Sequence, residues 1–303
     1  MSIVMVCKSI VHIAFLGPKG SYSHIAAMQY ANCHFDQIVA CSCQRFNDIF
    51  TLVECRYAEY GVVPIENSNS GLINEVCDLL LNTRLLLVDE ITIPINHRIL
   101  VNSNTDINRI QIIYSHPQPV QQCSRFLKRF STWKIVFCKS SAAAMETVAK
   151  LNQSNLAALG SMQGGAFYGL HSLLTYNLSN YQKNTTRFII LKNTNIEVVN
   201  NSIAIKTMII ISINQKSEKL YEILKILQFY NIKTTYLRPR VLSYSKSGNI
   251  IIIEMMAHIN DTYIQQVLIE LRKISCLLKI LGCYQCKSTA NIIKYYNKNK
   301  FIY

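Results

Sequence analysis

The sequence predicts an α/β protein of two domains, and three observations point there. Short apolar runs of strand length alternate with helix-like patterns throughout. The unit strand, polar or glycine-bearing loop, helix start occurs five times before residue 170, and the order of elements changes beyond a polar stretch near residue 200. Such alternation is the pattern of α/β architecture. At roughly 150 residues per domain, 303 residues make about two domains, each able to bury a core.

Ile13–Leu16 reads as the first buried strand, entering Gly17-Pro18-Lys19-Gly20-Ser21-Tyr22-Ser23 and a helical pattern from His24 to Tyr30. Tyr60–Ile65 is a second strand, running into Glu66-Asn67-Ser68-Asn69-Ser70-Gly71 and a helix through Leu81. Ile110–Tyr114 is a third, ending at Ser115-His116-Pro117-Gln118-Pro119 before a helix from Val120 to Phe130. Val136–Cys138 leads into Ser140-Ser141 and a helix over Ala142–Leu151; Leu156–Leu159 leads into Gly160-Ser161 and a small-residue helix. A polar linker spans Asn193–Lys206. Beyond it the order is strand Thr207–Ile213, helix Ser217–Tyr230, strands Lys233–Leu237 and Asn249–His258, helix Asp261–Leu271 and strand Leu277–Gly282. This βαββαβ order is the ferredoxin-like pattern of small ligand-sensing domains.

Loops at the carboxyl ends of strands are where open α/β sheets bind ligands. Each helix start offers unsatisfied N–H groups and a partial positive charge, favouring carboxylates or phosphates by roughly 0.3–1 kcal/mol. The five loops carry hydroxyls and amides (Ser21, Ser23, Asn67, Ser70, Ser115, Gln122, Ser140, Ser141) with few basic side chains, and no GxGxxG or Walker A motif is present. That composition suits a small anionic organic ligand rather than a nucleotide. Each serine alone reads as an N-cap; five loops of the same chemistry favour a shared cleft.

Half of the residues are hydrophobic and 16% are charged, which excludes an extended disordered chain. No apolar run approaches the roughly 18 residues of a membrane span. The amino-terminal segment lacks a basic region and a small-residue cleavage site, so the expectation is a cytoplasmic protein. Eleven irregularly spaced cysteines, with only Cys41/Cys43 and Cys283/Cys286 close together, do not form a zinc pattern, and no metal is expected. The 31 Lys and Arg against 17 Asp and Glu leave a net charge of +14. The basic residues are scattered apart from a tail at Lys294, Lys298 and Lys300. A nucleic-acid surface needs them gathered, so no nucleic-acid partner is expected. The abundance of lysine, asparagine, isoleucine and tyrosine fits an AT-biased coding sequence instead.

Six segments then carry a resemblance: IAFLGPKGSYSHIAA, GVVPIENSNSGLINEVCDLL, YSHPQPVQQCSRFL, SSAAAME, AALGSMQGGAFYGL and NTTRFIIL. In this order they resemble the prephenate dehydratase portion of the bifunctional chorismate mutase/prephenate dehydratases, and the resemblance runs from about Ile13 to Tyr284. It implies a dehydratase domain over 13–193, two-lobed and periplasmic-binding-protein-like with the site in the cleft, and a regulatory ACT domain over 207–284 through which the chain forms a homodimer or higher assembly. The implied reaction is decarboxylative dehydration of prephenate to phenylpyruvate, without a cofactor.

By the same resemblance, Thr186 of Thr186-Arg187-Phe188 is the donor to the leaving hydroxyl, and Asn67, Ser115 and Gln122 match positions linked to activity. Ser21, Tyr22, Ser23, Glu66, Ser70, Gly71, Ser140, Ser141, Arg187 and Phe188 belong to the substrate-binding set, with Glu66 and Arg187 expected to brace the loops. Asn184 and Phe188 read equally as scaffold. His24 and His116 read as structural, Tyr168-Gly169-Leu170 as packing and a turn, and Cys123 has no base beside it to make it a nucleophile.

Two departures stand out. About twelve residues precede the first strand, too few for the mutase segment, so the chain reads as a monofunctional dehydratase or a trimmed one. The family's phenylalanine-binding stretch falls on Glu218-Lys219-Leu220-Tyr221, where long charged side chains replace a small pair. A second family stretch falls on Arg238-Pro239-Arg240-Val241, where an acidic start has become basic. Weakened phenylalanine feedback is the expectation. The alternatives are a non-catalytic binder of small anions or aromatic amino acids on the same scaffold, and an arogenate dehydratase.

Overall fold

The computed structural model describes residues 10–102, 105–181, 183–194, 205–213, 218–241 and 249–285. Most of the 193–206 linker, the basic tail and Cys286 lie outside them. The chain is mixed α/β and divides into two compact units, Met1–Arg84 with Glu90–Asn193 and Leu85–Asp89 with Thr194–Tyr303.

In the first unit β1 (Val11–Leu16), α1 (Tyr22–His34), β2 (Ile38–Cys43), α2 (Phe46–Glu54), β3 (Tyr60–Asn67), β4 (Gly71–Leu72), α3 (Asn74–Asn82) and β5 (Leu86–Pro94, its residues through Asp89 grouped with the second unit) come first. Then come β6 (Arg98–Val101), β7 (Ile112–Ser115), α4 (Pro117–Gln122), α5 (Ser124–Leu127), β8 (Lys134–Phe137), α6 (Ser141–Leu151), β9 (Leu156–Gly160), α7 (Met162–Phe167), β10 (His171–Ser172) and β11 (Thr185–Lys192). They build two sheets, β2-β1-β3-β11-β5 with β4 beside β3, and β10-β6-β9-β7-β8. The second sheet is covered on both faces, as its side-chain alternation requires. Ile99, Val101, Ala157 and Leu159 pack with Phe126 and Leu127 of α5. Their neighbours Leu100, Leu156 and Ala158 pack with Met145 and Val148 of α6.

Two crossings join the sheets. Ile95–His97 link β5 to β6, and residues 173–184 link β10 to β11. The crossings are bonded to each other: Ile95 N–H donates to Asn184 O at 2.8 Å and Leu178 N–H to His97 O at 3.0 Å, while His97 N–H donates to Asn177 Oδ1 at 3.1 Å.

The expected helix from Val120 to Phe130 is broken. α4 stops at Gln122 because Asn180 N–H donates to the Gln122 carbonyl at 2.6 Å. The Asn180 side chain accepts from Arg125 N–H at 3.1 Å and donates to Ser124 Oγ at 2.9 Å. One crossing thereby fixes where Gln122 stands.

The second unit contains β12 (Ile205–Ile213), α8 (Glu218–Phe229), β13 (Thr234–Val241), β14 (Asn249–Met255), α9 (Thr262–Ile274) and β15 (Leu277–Gln285). Its antiparallel sheet runs β13-β14-β12-β15. Ile209, Ile211 and Ile213 meet Ile264, Val267, Leu268 and Leu271 of α9, period two against helical spacing. On the opposite face of β14 the buried Glu254 pairs with Lys206 at 3.1 Å and accepts from the Tyr284 hydroxyl at 2.9 Å.

Candidate active site

A cavity of about 290 Å³ is lined by first-sheet residues Pro64, Asn67, Thr186 and Phe188 and by loops and helix starts that follow strands of both sheets of the first unit. That is near the lower end of ligand-pocket volumes, about 300 Å³ upward, and suits one small organic molecule.

The helix starts of α1 and α6 reach it through Tyr22, Ser23, Ser140 and Ser141. Ser21 and Ser140 are N-caps, accepting from His24 N–H at 3.2 Å and from Ala143 N–H at 3.0 Å. Tyr22 donates its hydroxyl to Asn96 O at 3.0 Å, and burial raises its pKa above the ordinary phenol range. It shapes the wall and does not donate a proton.

Asn67 ends β3 directly opposite Thr186 near the start of β11. The ladder between them is irregular, with Thr186 opposite Asn67 but Phe188 opposite Pro64. Proline cannot donate to a ladder and belongs at such bulges. This irregularity lies beside the cavity, which Pro64, Thr186 and Phe188 all line.

The hydrogen bonds around Asn67 have a fixed polarity. Backbone N–H groups can only donate, and those of Asn69 and Ser70 point at Asn67 Oδ1, at 3.0 and 3.1 Å. The Ser70 hydroxyl joins them at 3.2 Å. Asn67 must therefore present Nδ2 on its other side. There it reaches Thr186 Oγ1 at 2.9 Å, Asn184 Oδ1 at 2.8 Å and Thr185 O at 3.1 Å. With its oxygen occupied, Asn184 turns Nδ2 toward Gln122 Oε1 at 3.4 Å, and His97 Nε2 approaches the same oxygen at 2.8 Å. The side-chain carbonyls of Asn67, Asn184 and Gln122 are all consumed within this network. The Thr186 O–H and the Gln122 amide hydrogens are left for the cavity.

The cavity thus gathers Tyr22, Ser23, Asn67, Ser70, Gln122, Ser140, Ser141, Thr186 and Phe188 from the sequence-derived set. Other members lie elsewhere. Ser115 is fully buried, donates to His116 O at 2.9 Å and does not line the cavity. Ser21, besides capping α1, donates to Leu16 O at 3.1 Å. Gly71, at φ +79°, turns the chain out of the Asn67 loop. Glu66 faces Arg187 across the ladder, and the Arg187 guanidinium binds Glu90, its Nε at 2.8 Å. Arg187 thereby ties β11 to β5.

His24 is structural. Its Nδ1 accepts from Gly20 N–H at 3.0 Å, and burial, helped by Lys19, lowers its pKa to about 4. Tyr168 packs against Gly20, whose φ of +85° and missing Cβ make room for the ring, and donates to Lys19 O at 2.6 Å. The buried Cys123 thiol is pushed up to about 12, unsuited to a nucleophile. His116 caps α4, accepting from Gln118 N–H at 3.3 Å, and also lines the cavity.

Two cavity residues, His97 and Lys139, carry no motif signal, and a third residue, Asn184, stands behind the cavity wall. His97 sits in a crossing. Lys139, exposed at the cavity, is among the described residues the only lining one with a formal charge; its place directly before Ser140-Ser141 is the available clue. Asn184 read as possible scaffold, yet it joins Asn67 to Gln122. Among the described residues no three of His, Cys, Asp or Glu gather in a metal-binding group, and no helix is long and apolar enough to cross a membrane.

The prephenate dehydratase family description matches residues 13–196, which include every element of this cavity. The chain belongs to the prephenate dehydratase family. A bifunctional chorismate mutase/prephenate dehydratase of Enterobacter agglomerans is 47% identical over 272 residues, covering 90% of this chain and 70% of the relative. The fold is shared with a prephenate dehydratase from Arthrobacter aurescens solved with L-Phe (TM-score 0.79, 21% identity, 94% of this chain and 97% of that one). It is shared equally with GqqA, described as a novel type of quorum quenching acylase (TM-score 0.79, 24% identity, 92% and 99%). At such identities a neighbour shows the fold alone. Family membership bears out the enzyme that the six sequence segments implied and disfavours the non-catalytic binder.

In the second unit, the expected effector residues occupy α8 and the edge strand β13. Lys219 pairs with Glu222 at 2.8 Å, Leu220 packs against the core, and Tyr221 is exposed with Lys225 Nζ 4.4 Å from its ring centroid. Arg238, Pro239 and Arg240 lie on β13, where an edge tolerates proline. The Glu218 side chain lies outside the described residues.

Proposed function

We propose that the cavity of this prephenate dehydratase converts prephenate to phenylpyruvate, CO2 and water in L-phenylalanine biosynthesis, with Thr186 as donor to the departing ring hydroxyl. The observation that carries the assignment is the Asn67 Nδ2 to Thr186 Oγ1 bond at 2.9 Å. A hydroxyl that accepts from an amide holds its own hydrogen available, and the accepted bond stabilises charge building on its oxygen. As the ring carboxylate leaves as CO2, its bonding pair moves through the diene and the far C–O bond breaks, the oxygen taking a proton to leave as water. Aromatisation drives the step, and the protein supplies alignment and the hydrogen bond.

The starts of α1 and α6, the Gln122 amide and Lys139 form the anion-binding side. Pro64, Ile73, Ile95 and Phe188 form an apolar wall, which suits a carboxylate that becomes neutral CO2. Among the described residues no lining one is acidic, so arogenate's ammonium group finds no carboxylate there, and prephenate is the substrate this reading favours. The test is phenylpyruvate formation from prephenate, followed by its absorbance in alkali; a chain that makes none would overturn the reading. Lys139→Gln is expected to raise KM roughly two- to fivefold, the worth of an exposed ion pair, with kcat unchanged. Added salt should shrink the difference.

Within this reading, 13–193 is a two-lobed, periplasmic-binding-protein-like dehydratase domain, and 207–284 is an ACT domain that assembles a cytoplasmic dimer or higher oligomer. The βαββαβ order of the second unit supports the latter. We further read the long side chains of α8 as weakening feedback. Micromolar phenylalanine is expected to leave the rate of phenylpyruvate formation unchanged, and saturable inhibition would refute this.

A further inference from the structure

We propose that His97 is a positioning residue of the dehydratase: it holds the Gln122 amide with its oxygen turned inward, so that both amide hydrogens face the substrate. The inference rests on the dehydratase reading of the cavity and adds to it a residue that the sequence motifs do not include.

His97 is 2% exposed and lies in the crossing between β5 and β6, at the junction of the two sheets. Its backbone is clamped from both sides, the N–H donating to Asn177 Oδ1 and the carbonyl accepting from Leu178 N–H. Its ring meets Tyr22 edge-on, centroids 6.1 Å apart. The side chain makes one hydrogen bond to the described residues, Nε2 to Gln122 Oε1 at 2.8 Å. Because Asn184 Nδ2 already donates to that oxygen, Nε2 must carry the hydrogen, and the ring is a neutral donor. Burial, which lowers its pKa against the opposing Gln122 bond, favours the same neutral form.

The remaining nitrogen, Nδ1, is buried without a hydrogen-bond partner among the described residues. A buried polar atom without a partner costs stability, and a phenylalanine would fill the same space without that cost. What the imidazole supplies and a phenyl ring lacks is the Nε2–H. The Asn184 bond, at 3.4 Å, is long. Without His97, Gln122 is therefore free to rotate its amide and present the oxygen, an acceptor, to a dianionic substrate.

The test is a double-mutant cycle on the full chain, with His97→Phe and Gln122→Met made singly and together, and phenylpyruvate formation measured at saturating prephenate. Each single change is expected to lower kcat on the order of 10²-fold, the cost of a misplaced contact. The combined variant should fall no further than Gln122→Met alone, because residues acting through one another are non-additive. His97→Gln, whose terminal amide can donate from the Nε2 position, should recover most of the rate, and His97→Asn, which is too short, should not. Thermal unfolding of each variant checks that it folds, and the Gln and Asn variants carry the test if His97→Phe does not. Losses that multiply, or equal rates for His97→Gln and His97→Asn, would overturn the role of His97. An unmodified chain without dehydratase activity would overturn the reading beneath it instead.

Discussion

Replacing Thr186 by alanine is expected to lower kcat on the order of 10²–10⁴-fold, the range for loss of a positioned proton donor, while KM for prephenate changes little. The hydroxyl is buried in the cavity wall, 8% exposed, and its oxygen already accepts from Asn67. Substrate binding therefore draws only on its hydrogen, and chiefly when the leaving oxygen gains charge. An interaction that strengthens in the transition state appears in kcat. Thr186→Ser keeps the oxygen but frees the rotamer that a β-branched side chain holds on a strand, so it should retain most activity. A Thr186→Ala enzyme within threefold of the unmodified kcat would remove Thr186 from the chemistry and leave the family assignment untouched.

How far the sequence disclosed these features depended on whether a signal was local. Strand β9, Leu156–Gly160, is buried at every position and was legible as an apolar run. Strand β2, Ile38–Cys43, passed unseen because it is half-exposed and carries two cysteines and a serine without alternation. Strand β5, Leu86–Pro94, was hidden by Asp89 and Glu90, yet Glu90 is there to bind Arg187 from the neighbouring strand. The break at Cys123 depends on Asn180, far along the chain, and no helical periodicity reports such a partner. The cavity divides the same way. Thr186, Asn67 and Gln122 sit in motifs, whereas His97 gains its role from a bond to a residue 25 positions away. Ser115 shares a motif with cavity residues, but its position at the end of β7 turns its hydroxyl to the His116 carbonyl, a placement that the motif does not report.

Asn67→Asp is the second large effect expected, and it separates two roles that a truncation would confuse. The aspartate keeps an oxygen for Asn69 N–H, Ser70 N–H and the Ser70 hydroxyl, the three donors that shape the loop after β3. It replaces the Nδ2 donor by a second oxygen, facing Thr186 Oγ1 and Asn184 Oδ1. The loop should therefore keep its donors and fold, with the melting temperature lowered less than in Asn67→Ala although the new oxygen faces the Thr185 carbonyl, while the polarity of the network reverses. Thr186 would turn its hydrogen toward the new carboxylate and away from the substrate, and Asn184 would flip, disturbing the donors on Gln122. The expected loss in kcat is on the order of 10²–10³-fold, comparable to removing a preorganised hydrogen-bond donor. Asn67→Ala should lose both activity and stability, since it abandons the loop donors as well. Rate and unfolding measurements on the pair decide the matter. An Asn67→Asp enzyme with near-normal kcat would mean that Thr186 needs no amide behind it, and Asn67 would then be a loop residue alone.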